Sequence, residues 1–212
     1  MTNTIVIAEL NKGIIHSTTR ELVTAAQMLG SSCTVIVPCT DSSVSDSIGS
    51  TSGVEKIIVA KSQIFENYDA SGWASAIDSV TPQGIIITSA SPQSKDLAAR
   101  LAARRKISVV QDVVAIDGTN LTSPVYSGKA MQTVSMSGNT VVSIRQNVFD
   151  ASPDGGSAEL SVIDASGNVA TAVKELISRA SARLDVSEAN IIISGGRGMG
   201  SPDNFTHLEQ IA

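Results

Sequence analysis

Apolar positions along the chain follow two kinds of pattern. Short continuous runs stand at TIVIAEL (residues 4–10), CTVIVP (33–38), KIIVA (56–60) and GIIIT (84–88). Runs of this length without alternation suit strands covered on both faces. Between them the spacing turns helical. In HSTTRELVTAAQMLG, Leu22, Ala25, Ala26 and Leu29 share one stripe, Thr18 and Glu21 have capping-box spacing, and Gly30 offers a stop. DASGWASAIDSV predicts a second helix ended by Pro82. SASPQSKDLAARLAARRKIS predicts a third, with Pro92 near its start and Leu97 and Leu101 on one side. Repeated strand–helix–strand order implies right-handed crossovers, hence an α/β, doubly wound and mostly parallel sheet.

The second half changes character. Alternation from QDVVAIDG (111–118) through SPVYSGKAMQTVSM to TVVSIRQNVF predicts antiparallel strands on one edge of that sheet, with a hairpin through Gly138 and Asn139. DASPDGGSA (150–158) is polar, glycine-rich and contains Pro153, which predicts a surface loop or linker. ELSVID predicts one more strand and VATAVKELISRA a helix. ANIIIS predicts a strand that runs into SGGRGMGSPDNF (194–205), with Ser201 and Pro202 as N-cap and first helical residue.

Composition narrows the function classes. The 212 residues are 42% hydrophobic and 17% charged, enough for a sizeable core. Aromatics are 3%, so that core is built from Ile, Val, Leu and Ala. A net charge of −5 carries no electrostatic footprint for nucleic acid. No apolar stretch approaches the roughly 20 residues that span a bilayer. MTNTIVIAEL has no basic region before its apolar run, so no targeting peptide is read there. Cys33 and Cys39 match neither a zinc knuckle nor a C-x-x-C pair and read as buried thiols. His16 and His207 lack ligand-spaced companions, which argues against a metal site.

The chemistry-bearing stretch is the glycine turn. Gly195, Gly196, Gly198 and Gly200 surround Arg197. Glycines let the backbone approach a ligand, amides at a helix start favour an anion, and a guanidinium fork suits a pyrophosphate. The turn is not a P-loop, which requires Lys-Ser/Thr after the second glycine, nor the first-strand G-x-G-x-x-G of a dinucleotide fold. Arg100, Arg104, Arg105 and Lys106 read as cations complementing a helix end, with a docking patch as the alternative. Arg145 reads as the partner of a carboxylate such as Asp150 or Asp112. No nucleophile–base pair stands out, so no catalytic residue is assigned.

Four blocks in the same order resemble the alpha subunit of electron transfer flavoprotein. They are SKDLAARLAARRKISVVQDVVAI, SPVYSGKAMQTV, VSIRQNVFDA and RLDVSEANIIISGGRGMGSPDNF, the last being the most specific. The resemblance implies an N-terminal domain over residues 1–186, of adenine nucleotide alpha-hydrolase-like fold. Residues 187–212 would be the start of a second α/β domain that holds FAD, with about 100 further residues expected beyond Ala212. It implies FAD as cofactor, contacted by Arg197 and its neighbours Gly195, Gly196 and Gly198. It further implies a beta subunit as heterodimer partner. Electrons would pass from flavin dehydrogenases, such as the acyl-CoA dehydrogenases of fatty acid beta-oxidation, to a quinone oxidoreductase. On this reading the protein is an electron carrier rather than an enzyme, at home in a bacterial cytoplasm or a mitochondrial matrix. Residues 1–212 alone would not hold FAD, because a ligand pocket encloses most of its ligand. Two rival readings are an adenine-nucleotide-binding domain of alpha-hydrolase type and a non-catalytic remnant that only pairs with a beta subunit.

Overall fold

The apolar runs come together as parallel neighbours. In the computed structural model, β1 (Asn3–Ile7), β4 (Ser32–Cys39), β5 (Lys56–Lys61), β6 (Ile85–Ser89), β7 (Ser108–Val113), β11 (Thr140–Ile144) and β12 (Glu159–Asp164) form one sheet. Its order is β12-β5-β4-β1-β6-β11-β7 and every pairing is parallel. The structure describes residues 3–11, 13–30, 32–41, 48–169, 186, 189 and 191–211. They fall into two compact units, Met1–Val173 and Lys174–Ala212. The sheet belongs to the first. Most of the helix expected over 169–180 lies outside the described residues.

Continuous rather than alternating hydrophobicity has its explanation in two covered faces. On one, Val6, Val35, Val37, Ile57, Val59, Ile85, Ile87, Val142 and Ile144 pack with Leu22, Val23, Ala25 and Ala26 of α1 (Thr18–Leu29). On the other, Ile5, Ile7, Ile36, Ile58, Ile86 and Val141 meet α2 (Ala70–Val80) and α3 (Pro92–Arg105) through Ala74, Ile77, Leu97, Ala98 and Leu101. Alternate residues of a strand point to opposite faces, so both sets must be apolar. Asp69 caps α2 by accepting from the Gly72 amide at 2.7 Å. Ser91 caps α3 ahead of Pro92, accepting from the Ser94 amide at 3.1 Å.

The antiparallel strands form, but not as the hairpin expected at Gly138 and Asn139. β8 (Ala115–Asp117), β9 (Asn120–Val125) and β10 (Ala130–Ser135) make a separate three-stranded sheet beside β7, and its longer hairpin turns through Tyr126–Lys129. Thr140–Ile144 enters the main sheet instead, parallel between β6 and β7. Its five residues are all buried, which an outer edge could not provide. A short antiparallel pair, β2 (Leu10–Asn11) and β3 (Ile14–Ile15), follows β1. ELSVID becomes β12, beside β5.

The capping box is also not made. Ser17, in helical conformation, precedes α1 without a side-chain cap, and the Glu21 carboxylate accepts from the Asn147 amide at 2.7 Å instead. Residues 150–158 form a surface loop strapped to the first unit. Ser52 N donates to Pro153 O at 2.8 Å, and Arg20 pairs with Asp154 at 2.6 Å.

Both cysteines are buried free thiols. Burial pushes the Cys33 thiol up to about 12, and burial with the nearby Asp41 charge raises Cys39 as well. The thiolate is the reactive species. We therefore expect neither cysteine to react with a disulfide reagent at neutral pH in the native protein, and both to react in denaturant. A fast native phase would show that one of them is accessible.

Candidate functional site

In the second unit the apolar run Ile191–Ile193 does not form the expected strand. The three residues are 83%, 57% and 37% exposed, and among the described residues no strand pairs with them. A strand needs a neighbour to satisfy its backbone, so local β-propensity alone does not make one. The glycine turn itself is well defined. Arg197–Met199 and Pro202–Phe205 are single 3-10 turns that lead into α4 (Thr206–Ile211). As expected, Ser201 caps the second turn with Pro202 at its first position, accepting from the Asp203 amide at 3.4 Å. Gly200 takes φ 75 between the turns, and Asn204 Nδ2 donates to Met199 O at 2.6 Å.

The four glycines and the arginine do not share one role. A Cβ on Gly195 would stand 2.8 Å from Leu208 Cδ1, 2.9 Å from Met199 Cγ and 3.1 Å from Phe205 Cε1, so close packing accounts for this glycine. A Cβ on Gly196 or Gly198 would meet nothing within 4 Å. Gly196 has φ −126, which any residue adopts. The fold of the described residues therefore has no need of glycine at 196 or 198, and the backbone there lies open to an outside group. Arg197 stands exposed between them, with no ion-pair partner among the described residues. The Arg197 and Gly198 amides open the 3-10 turn, where a helix leaves its first donors unsatisfied, and they find no acceptor among the described residues. This combination suits a flat, anionic ligand such as a dinucleotide.

A second place where α/β folds bind ligands is the crevice at the carboxyl ends of the strands where the chain order reverses. Here the chain leaves β1 towards β4 and β5, then returns to β6 on the other side, so the reversal lies between β1 and β6. Glu9 follows β1 and fills this position. Its Oε2 accepts from Ser89 Oγ at the end of β6 and from Ser94 Oγ in the first turn of α3, the latter at 3.3 Å. Nothing in the local sequence marks Glu9, because its partners lie about 80 positions away.

The comparisons with known proteins agree with this architecture. Residues 4–168 match the model of the electron transfer flavoprotein domain. Over the whole chain the sequence is 31% identical to the electron transfer flavoprotein subunit alpha of Mycobacterium leprae, covering 70% of that protein. The Bacillus subtilis subunit alpha is 30% identical across 98% of the chain and 68% of its own length. A mitochondrial subunit alpha of Arabidopsis thaliana is 31% identical, with 64% of its length covered.

The chain belongs to the electron transfer flavoprotein domain family.

Within this electron transfer flavoprotein domain the other charged candidates hold structure together. Arg100 pairs with Asp96 one turn earlier at 3.1 Å. Arg104 and Arg105 both reach Asp78 of α2, at 2.8 and 2.6 Å. Arg105 also donates to Pro82 O and Thr81 O, closing the end of α2. Arg104 and Arg105 are thus tied to a neighbouring helix, while Arg100 pairs within α3. Arg145 grips Asp112 with two bonds, at 3.1 and 2.5 Å, and Lys95 adds a second cation at 3.5 Å. The Arg145 bonds, and then the neighbouring Lys95 charge, outweigh partial burial and hold the Asp112 carboxyl below its ordinary value. Asp112 itself takes φ 62 where β7 and β11 slip register. Of the two carboxylates named for Arg145, Asp112 is the partner. Among the described residues no group of three His, Cys, Asp or Glu side chains could hold a metal, and no helix is long and apolar enough to cross a membrane.

Proposed function

We propose that this chain is an electron transfer flavoprotein alpha subunit that works as half of a heterodimer with a beta subunit. The observation that carries the reading is the glycine turn of a family member: an exposed Arg197, without an ion-pair partner among the described residues, flanked by two glycines whose openness the fold of those residues does not require. Arg197 would face a phosphate or polar edge of FAD, with Gly196 and Gly198 letting the cofactor approach the backbone and Gly195 forming the packed base of the turn. When bound, FAD accepts and releases electrons. The polypeptide binds it, tunes it and presents it to partners. Residues 1–186 would act as scaffold and beta-subunit platform, and residues 187–212 as the opening of the FAD-binding domain. The electron donors would be flavin dehydrogenases such as acyl-CoA dehydrogenases, with a quinone oxidoreductase as acceptor. The chain would serve as a carrier, not an enzyme.

The turn as it stands buries little. Residues 191–198 are exposed, and a cofactor site encloses most of its ligand's surface. We therefore expect the chain purified alone to lose FAD on dialysis. Where flavin is retained in a complex with a beta subunit, Arg197→Ala should weaken retention about 10- to 100-fold, the worth of a charge-assisted hydrogen bond. Gly196→Ala should leave thermal stability within about 0.5 kcal/mol while reducing flavin content. The visible absorption spectrum after dialysis reads both. Unchanged flavin content in both variants would overturn the assignment of the site.

A further inference from the structure

The first unit has the sheet, the chain reversal and the helix start that nucleotide-binding α/β domains use, and each of these converges on the crevice between β1 and β6. At that point a phosphate would ordinarily sit against a helix N-terminus. The position is already taken. Glu9 extends from the end of β1 across to β6 and α3, where Ser89 and Ser94 both donate to one carboxylate oxygen. Its backbone is fixed as well, because Glu9 O accepts from the His16 amide at 2.8 Å across the small β2–β3 hairpin. Beside it, a cleft of about 540 Å³ lies over the carboxyl ends of β1 and β4. Leu10 and Gln93, the neighbours of Glu9 and Ser94, line that cleft together with Phe65, Tyr68 and Trp73. Asp41 and Glu66 also line the cleft, and among the described residues no lysine or arginine lines it.

We propose that Glu9 is a built-in anion that closes this crevice to phosphate-bearing ligands, leaving the first unit with a nucleotide-type fold but no nucleotide phosphate site. The carboxylate excludes phosphate in two ways: it occupies the space, and it repels a second negative charge in a half-buried position where screening is weak. The hydroxyls of Ser89 and Ser94 then serve the chain's own carboxylate and not a ligand. This inference concerns the first unit alone and does not depend on the flavin reading of the second.

The test is isothermal titration of the 212-residue chain with AMP and with inorganic phosphate, all in an Arg197→Ala background so that binding at the glycine turn cannot contribute. With Glu9 present, no saturable binding is expected. Glu9→Ala should bind both probes at least about tenfold more tightly. Glu9→Gln keeps the volume and acceptors for Ser89 and Ser94 while removing the charge. It guards against loss of fold in the alanine variant, and it too should bind phosphate more tightly than the Glu9 protein. Circular dichroism establishes which variants are folded. Equal affinity with and without Glu9 overturns the proposal, and so does a folded variant that gains no affinity.

Discussion

Gly84→Ala should cost the protein its fold, or at least about 4 kcal/mol of stability, among the largest effects a single substitution produces. Gly84 stands just before β6 with φ 154, and a Cβ there would lie 2.3 Å from Asn3 O and 3.0 Å from Asn3 C. These are backbone atoms at the start of β1, the strand that pairs with β6 through Thr4 and Ile85. No side chain can move aside to relieve the contact. Accommodating a methyl group would require the two central strands to separate or slip, and slipping by one residue would exchange the two buried faces. At about 2–4 °C per kcal/mol for a chain of this size, thermal melting should fall by roughly 8–16 °C or more. Gly196→Ala is the natural control, since nothing lies within 4 Å of its Cβ position. A Gly84→Ala protein melting within about 2 °C of the parent would show that β1 and β6 tolerate displacement.

Arg105→Ala should destabilise the first unit by about 3 kcal/mol, in the range found when one partner of a largely buried ion pair is removed. The Arg105 side chain is only 10% exposed, and its fork serves three acceptors at once: Asp78 Oδ1 at 2.6 Å, Pro82 O at 2.8 Å and Thr81 O at 2.5 Å. Truncation leaves two carbonyls at the end of α2 without their donor and a half-buried carboxylate with Arg104 alone. Arg105→Lys should recover little, because an ammonium cannot span the same three acceptors. Arg104→Ala should cost about 0.5 kcal/mol, since that side chain is half exposed and makes one surface pair.

The pH dependence follows from the same pair. Burial alone would raise the Asp78 carboxyl, but the bonds from Arg105 and Arg104 outweigh it and hold the carboxyl below the ordinary 3.8. The folded protein therefore binds this proton at lower pH than the unfolded chain does. The pairing stabilises the fold above about 3.8 and fades as pH falls through the folded value. The gap in stability between parent and Arg105→Ala should be full at neutral pH and narrow below that point. Urea titrations at a series of pH values measure it, and a constant gap would mean that Asp78 is not the group responsible.

What the sequence by itself determined was local. Four apolar runs at 4–10, 33–38, 56–60 and 84–88 announced β1, β4, β5 and β6, because a strand covered on both faces must be apolar at every position. Pro92 announced the start of α3, and Ser201 and Pro202 that of the turn after Gly200, because start signals act within one helical turn. The order of motifs along the chain was enough to point to the family. Only the tertiary structure decided what depends on residues distant in sequence. Thr140–Ile144 has the composition of any strand, and its place between β6 and β7 is set by pairing with residues 85–89 and 108–113. Glu21 has capping-box spacing, yet its carboxylate serves Asn147, 126 positions away. Ile191–Ile193 reads as a strand and is not one, because strand formation requires a neighbour that the described residues do not supply. Arg105 looked like one more solvated cation until α2 was placed against it. Glu9 carried no local signal at all, since its role depends on β1, β6 and α3 meeting at one point. Short-range rules are written in neighbouring residues, whereas strand order and the environment of a charge follow from which distant segments the core brings together.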